Sequence, residues 1–143
     1  MHRDDLDVPI GEIVDALHEH VHAGRIKSVG GSNWTHERLQ AAVDYARENG
    51  KTVFTASSPN YGLAEQVDNP WGTGCVSVSG PANIEARDWY ARTGMAIFAY
   101  SSLGRGLFSG RITRDNYEEV ADGACSTAYC HEVNFQRLDL RDA

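Results

Sequence analysis

Apolar and polar positions alternate along this chain with two different periods. Ile10, Ile13, Val14, Leu17 and Val21 recur at steps of three and four, which predicts a helix over 9–23 with one buried stripe. Pro9 suits its first position and Gly24 a glycine cap at its end. Over 25–31 the period falls to two: Ile26, Ser28 and Gly30 alternate with Lys27, Val29 and Gly31, predicting a short strand followed by a turn at Ser32, Asn33 and Trp34. A second helix starts near Thr35, an N-cap with Arg38 where Glu would complete a capping box, and buries Leu39, Ala42, Val43 and Ala46. Asn49-Gly50 ends it.

The β-branched and aromatic run 52–56 (TVFTA) is the next strand, broken by Ser57-Ser58-Pro59-Asn60. Residues 62–82, rich in Gly, Pro, Ser and Asn, read as a long loop, and such loops inside compact domains are often functional. A helix over 83–92 packs through Ile84, Trp89 and Tyr90 and is capped by Gly94. The almost wholly apolar run 95–100 (MAIFAY) has the composition of a strand buried on both faces of a parallel sheet. A Ser/Gly-rich loop follows, then a polar tail from Ile112 with one short helix at 116–121. Three helix–strand repeats joined by short linkers imply an α/β fold: a parallel sheet with helical crossovers.

Length and charge bound this picture. The 143 residues suit one domain and fall short of the roughly 250 that a complete (β/α)₈ barrel typically needs. A net charge of −7, with no run of Lys or Arg, argues against a nucleic-acid partner. No apolar run approaches the roughly 20 residues that span a bilayer, so no membrane partner is expected. Acids stand near the start where a signal peptide would need apolar residues, and a cytoplasmic protein is expected. Cys75, Cys125 and Cys130 are an odd set that does not suggest a disulfide framework.

Each strand ends in a polar cluster: Gly31-Ser32-Asn33-Trp34, Ser57-Ser58-Pro59-Asn60-Tyr61, and Tyr100-Ser101-Ser102-Leu103-Gly104. The carboxyl ends of parallel strands are where α/β folds hold ligands, so the three clusters predict one shared site. Gly104-x-Gly106-x-x-x-Gly110 is not a dinucleotide fingerprint, because its last spacing is one residue too long. Its glycines could still bring backbone N–H groups to a pyrophosphate, with Arg105 adding charge; a flexible loop is the plainer reading. Tyr100 is either a packing aromatic or a flat face for a ring. His18 and His22 share a helix face while His20 points elsewhere, which reads as histidines edging the apolar stripe rather than a metal site. Cys125, Cys130 and His131 are spaced too loosely for zinc, and no metal is expected.

Four segments taken together resemble the aldo-keto reductase family: His2-Arg3-Asp4-Asp5, Gly30-Gly31-Ser32-Asn33-Trp34, the run ASSPNYGLAEQ at 56–66, and Ala99-Tyr100-Ser101-Ser102-Leu103-Gly104-Arg105-Gly106. They occur in the family's order and at similar spacing. The resemblance implies a partial (β/α)₈ TIM barrel over 1–143. It would run from the end of the fourth strand through strands five to seven, lacking the N-terminal strands and strand eight. It implies an NADPH- or NADH-dependent oxidoreductase acting on a small-molecule carbonyl substrate, an aldehyde or ketone. By the same resemblance His2 is the catalytic histidine beside the substrate carbonyl. Ser32 and Asn33 hold the nicotinamide carboxamide, and Tyr100 stacks on the nicotinamide ring. Ser101, Leu103 and Arg105 belong to the loop over the pyrophosphate.

Two residues depart from the family pattern: Ser58 stands where Gln is frequent and Ser102 where Pro is common. The family's catalytic Tyr, Lys and Asp lie upstream of the histidine, outside these 143 residues. Little or no turnover is therefore expected of this chain alone, since general acid–base catalysis contributes about 10²–10⁴-fold. The alternative is a non-catalytic nicotinamide-nucleotide-binding module or an assembly subunit. Unpaired edges at the fifth and seventh strands predict self-association.

Overall fold

The computed structural model describes residues 1–142. Its elements are α1 (Ile10–His22), β1 (Gly30–Ser32), α2 (His36–Glu48), β2 (Ala56–Ser58), α3 (Ile84–Thr93), β3 (Ala96–Ile97), α4 (Tyr117–Val120), α5 (Gly123–Tyr129) and α6 (Glu132–Asp142). The three strands form one parallel sheet in the order β1-β2-β3, with Gly30 opposite Ala56 and Ala56 opposite Ala96. Among the described residues this sheet stays open rather than closing into a barrel. Among the described residues no helix is long and apolar enough to cross a membrane.

The first three helices form where the sequence places them, and α4 falls within the short helix expected at 116–121. The Thr35 side chain accepts from Arg38 N, Gly24 takes φ +70 just past α1, and Gly94 caps α3 at φ +67. The strands start later than expected. The N–H groups of Arg25 and Ile26 both turn back to the His20 carbonyl, and Lys51 N bonds Ala46 O. Thr52 N donates to the His18 ring. Residues 25–28 and 51–54 thus close off helix ends, and ladder bonds begin only at Val29 O and Thr55 N. His18, which also bonds the Thr52 hydroxyl, is a structural histidine in this arrangement.

Two further expectations fail. The run 95–100 is not buried on both faces: β3 is the outer strand, and Phe98 is 67 % exposed. Ile84, expected to pack, is 53 % exposed, while Trp89 and Tyr90 are buried as expected. The edge of β1 is also not bare. Residues 1–3 lie along it in parallel, with the Met1 ammonium on Gly30 O, Ser32 N on Met1 O and Arg3 N on Ser32 O.

Two hydrophobic cores result. The body packs α1, α2 and α3 on one face of the sheet around Trp34, Leu39, Val43, Phe54 and Trp89. Gly30 is required here, because a Cβ on it would sit 2.4 Å from the Ala56 carbonyl oxygen of the neighbouring strand. The tail holds three helices rather than one. Their small core gathers Ala64, Leu107, Ile112, Cys125, Ala128, Tyr129, Phe135 and Leu138 into a cap beside the strand ends.

Candidate functional site

At the carboxyl ends of the strands lies a cleft of about 350 Å³, lined by His2, Arg3, Asn33, Trp71, Cys75, Tyr100, Ser101 and Arg105. This volume is at the small end for ligand pockets. Of the seven residues singled out from the sequence, His2, Asn33, Tyr100, Ser101 and Arg105 line it. Ser32 stands just behind, its Oγ 3.3 Å from His2 Nδ1 and donating to Ser58 O. Leu103 does not line the cleft: its side chain is half exposed, and its carbonyl accepts from Gly106 N and Phe108 N.

The cleft is held by a short polar network. Asn33 is buried, and its Oδ1 accepts from the Tyr100 hydroxyl at 2.6 Å and from Val76 N at 3.1 Å. Its Nδ2 reaches only the Ser32 hydroxyl, at 3.4 Å, and so keeps a donor in hand for a ligand. Burial, and then the neighbouring Cys75, push the Tyr100 phenol up from its ordinary value. Tyr100 is therefore a neutral donor and a ring at working pH, not a phenolate. The Trp71 ring stands nearly perpendicular to it, centroids 6.4 Å apart.

The backbone around this cleft is unusual. Among the described residues, Arg3, Asn33, Ser101 and Arg105 are the non-glycine residues with positive φ, at 62°, 58°, 54° and 52°. All four line the cleft. Side chains are held in that region at a cost of about 1–3 kcal/mol each, which only an over-determined surrounding sustains, and such residues cluster at functional sites. Arg3 illustrates this: its N–H is fixed on Ser32 O, and its carbonyl accepts from the Trp34 indole at 3.0 Å.

The glycine-rich loop does less than its sequence suggests. Gly104 N, Gly106 N, Leu107 N, Phe108 N and Ser109 N all donate to carbonyls within the loop itself. The Arg105 guanidinium pairs with both carboxylate oxygens of Asp122 while lying 5.6 Å from the Trp71 ring centre. Asp122 in turn caps α5 by accepting from Cys125 N, and its pKa is lowered first by Arg105 and then by that backbone bond. The residues present thus offer an aromatic face at Tyr100 and a spare amide donor at Asn33. They do not assemble a backbone clamp for a pyrophosphate.

The sequence reading placed Asn60 in the second strand-end cluster without giving it a role, and it missed Asn134. Asn60 is fully buried; its Nδ2 donates to the Tyr129 hydroxyl at 2.7 Å and its Oδ1 accepts from Ser77 Oγ at 2.8 Å. Asn134, also buried, accepts from Glu65 N and donates to Glu65 O and Tyr129 O. Both join the cap to the strand-end loops, through pairings 69 residues apart that no local pattern announces. Among the described residues no group of three or more His, Cys, Asp or Glu gathers as for a metal; Cys125 and Cys130 lie 3.9 Å apart at sulfur, and the His131 ring bonds Thr127 O.

A search of curated proteins returns no match. The model of the Aldo/keto reductase family matches residues 1–125 of the 143. Three parallel strands with crossover helices and a polar site at their carboxyl ends are what a portion of that family's barrel would present, and this chain belongs to the aldo/keto reductase family.

Proposed function

We propose that the cleft grips the nicotinamide end of NADPH or NADH in an enzyme that reduces an aldehyde or ketone. The observation that carries this reading is the gathering of Arg3, Asn33, Ser101 and Arg105, all at positive φ, around one small cleft. Strain of that kind persists where positioning matters. When bound, the dinucleotide supplies a hydride. The chain's own residues do the rest: Asn33 Nδ2 donates to the carboxamide oxygen, Tyr100 presents its ring, and Ser32 orients His2 toward the space where a carbonyl group would lie. A cytoplasmic setting belongs to the same reading.

A second reading has its own support. The Tyr100 hydroxyl is committed to Asn33 and its proton is held tightly, so it does not serve as the acid for a carbonyl oxygen. The chain alone then binds the nucleotide without turning it over. Self-association is part of this picture, because among the described residues β3 has no strand on its outer side, and Ile97 in it and Phe98 just after it are exposed.

Titration with NADPH, with NADH for comparison, tests both readings through quenching of Trp34, Trp71 and Trp89 emission. Saturable quenching is expected, weakened about tenfold in Asn33→Leu, since losing the Nδ2 donor and leaving the carboxamide oxygen unpaired costs ~1–3 kcal/mol. No saturable change in a folded chain rejects nucleotide binding. Consumption of NADPH with an aldehyde at a steady rate rejects the binding-only reading. Light scattering across a concentration series tests self-association, and a constant monomer mass rejects it.

A further inference from the structure

We propose that residues 69–76 form a strap across the cleft, that Trp71 is the wall against which a bound planar ring rests, and that Arg3 is the positioning residue that holds the strap in place. The proposal rests on the nicotinamide reading for the identity of the ring, but not for the role of Arg3.

The strap is tied to the body at a few points, most of them the cleft's own residues; Asn60 N also donates to Val76 O at 2.9 Å. Arg3 Nη1 donates to Thr73 O at 2.9 Å and Nη2 to Trp71 O at 3.4 Å. Val76 N donates to Asn33 Oδ1. The Arg105 guanidinium lies over the Trp71 ring. On either side of Thr73, Gly72 and Gly74 take φ +77 and +82, and a Cβ at Gly72 would meet nothing within 4 Å. Neither glycine is needed for close packing there; both serve a sharp change of chain direction.

Trp71 and Tyr100 make an aromatic corner. Their planes meet at 79° with centroids 6.4 Å apart. A ring laid on one face presents its edge to the other, and aromatic pairs favour both of these arrangements. The long side chain of Arg3, fixed at its base in a left-handed backbone, reaches over 68 residues of sequence to set where that corner stands. Its guanidinium binds neutral carbonyls. A purely electrostatic role would need a carboxylate partner; a positioning role needs the two carbonyls it has.

Cys75 lines the same cleft and reports on the strap directly. The test is the rate of alkylation of each cysteine in the full chain by N-ethylmaleimide, read by peptide mass spectrometry, with the cap residues Cys125 and Cys130 as internal references. Arg3→Gln is expected to speed Cys75 by about tenfold and leave the references unchanged, with Arg3→Lys between it and the parent. Equal rates at Cys75 overturn the role of Arg3, and so does a rise at all three cysteines, which would mean that Arg3 merely holds the fold.

The second arm uses NADPH itself, measured by equilibrium dialysis. Trp71→Ala is expected to weaken binding about tenfold, Trp71→Phe less, and NADPH is expected to slow Cys75 alkylation in the parent. Unchanged affinity in Trp71→Ala overturns the wall and leaves the nicotinamide reading standing. No binding by the parent overturns the wall together with that reading, while the Arg3 arm is decided on its own rates.

Discussion

The body and the cap are held together by different physics. The body buries Trp34, Leu39 and Phe54 almost completely between helices and sheet, with the Trp34 and Phe54 rings 5.2 Å apart. Its stability comes mainly from apolar area removed from water. The cap has a small core of its own and is fastened to the strand-end loops by buried asparagines. Hydrogen bonds of that kind add modestly when made, but a buried partner left unpaired costs about 1–3 kcal/mol. The difference teaches that the site stands on a joint: Tyr100, Ser101 and Arg105 sit between a well-packed layer and one secured by a few polar contacts.

The largest effect should come from the body. Trp34→Ala removes a ring that is fully buried, packed at a tilt against Phe54, and hydrogen-bonded through Nε1 to Arg3 O. A loss of about 3–5 kcal/mol is expected in urea unfolding, with cap and site lost along with the body. A loss below about 1 kcal/mol would mean the body is not the foundation.

Asn134→Ala comes next. It strips Glu65 and Tyr129 of their partners, and about 2–3 kcal/mol should be lost. Hydrogen exchange should then quicken across α5 and α6 while α1 and α2 keep their protection. Uniform loss of protection would erase the distinction between the two regions.

Asp122→Asn should have the smallest effect, because the Arg105–Asp122 pair is largely exposed and worth no more than about 1 kcal/mol. The Asp122 carboxyl is held below its ordinary value by Arg105 and by the Cys125 N–H. Its contribution is therefore complete above the unfolded value near pH 4 and fades as the pH falls through the lower folded value. Parent and variant should differ at pH 7 and converge as the pH falls below the lowered folded value. A gap that persists in acid would place the effect in the helix cap rather than in the ion pair.

The order of helices and strands in the body was legible because burial there follows a period. The positions of the ladder bonds were not: which N–H closes a helix and which joins a sheet is decided by long-range partners such as His20 O and His18. The cap stayed hidden for a related reason. Its helices are short or polar, and they bury Cys125, Ala128 and Tyr129 or Phe135 and Leu138 against loops, so no apolar stripe precedes them in the chain. At the site, recognition of strand-end motifs located His2, Asn33, Tyr100, Ser101 and Arg105. Trp71 and Cys75 sit in an aperiodic loop, and Arg3 beside a recognised histidine carries no spacing signal. Only the fold brings these three to the cleft.

Gly30 and Gly62 limit how this sequence can drift. A Cβ on either would fall 2.4 Å from a backbone oxygen, that of Ala56 in one case and Ser102 in the other, and backbone in a sheet or a pinned loop has little room to yield. Every single-base change of a glycine codon that keeps the reading frame open either leaves glycine or introduces a side chain. These two sites therefore lack the near-neutral neighbours through which most positions wander. In a deep mutational library they should stand out as blanks, one inside the sheet and one where the strand-end loops touch.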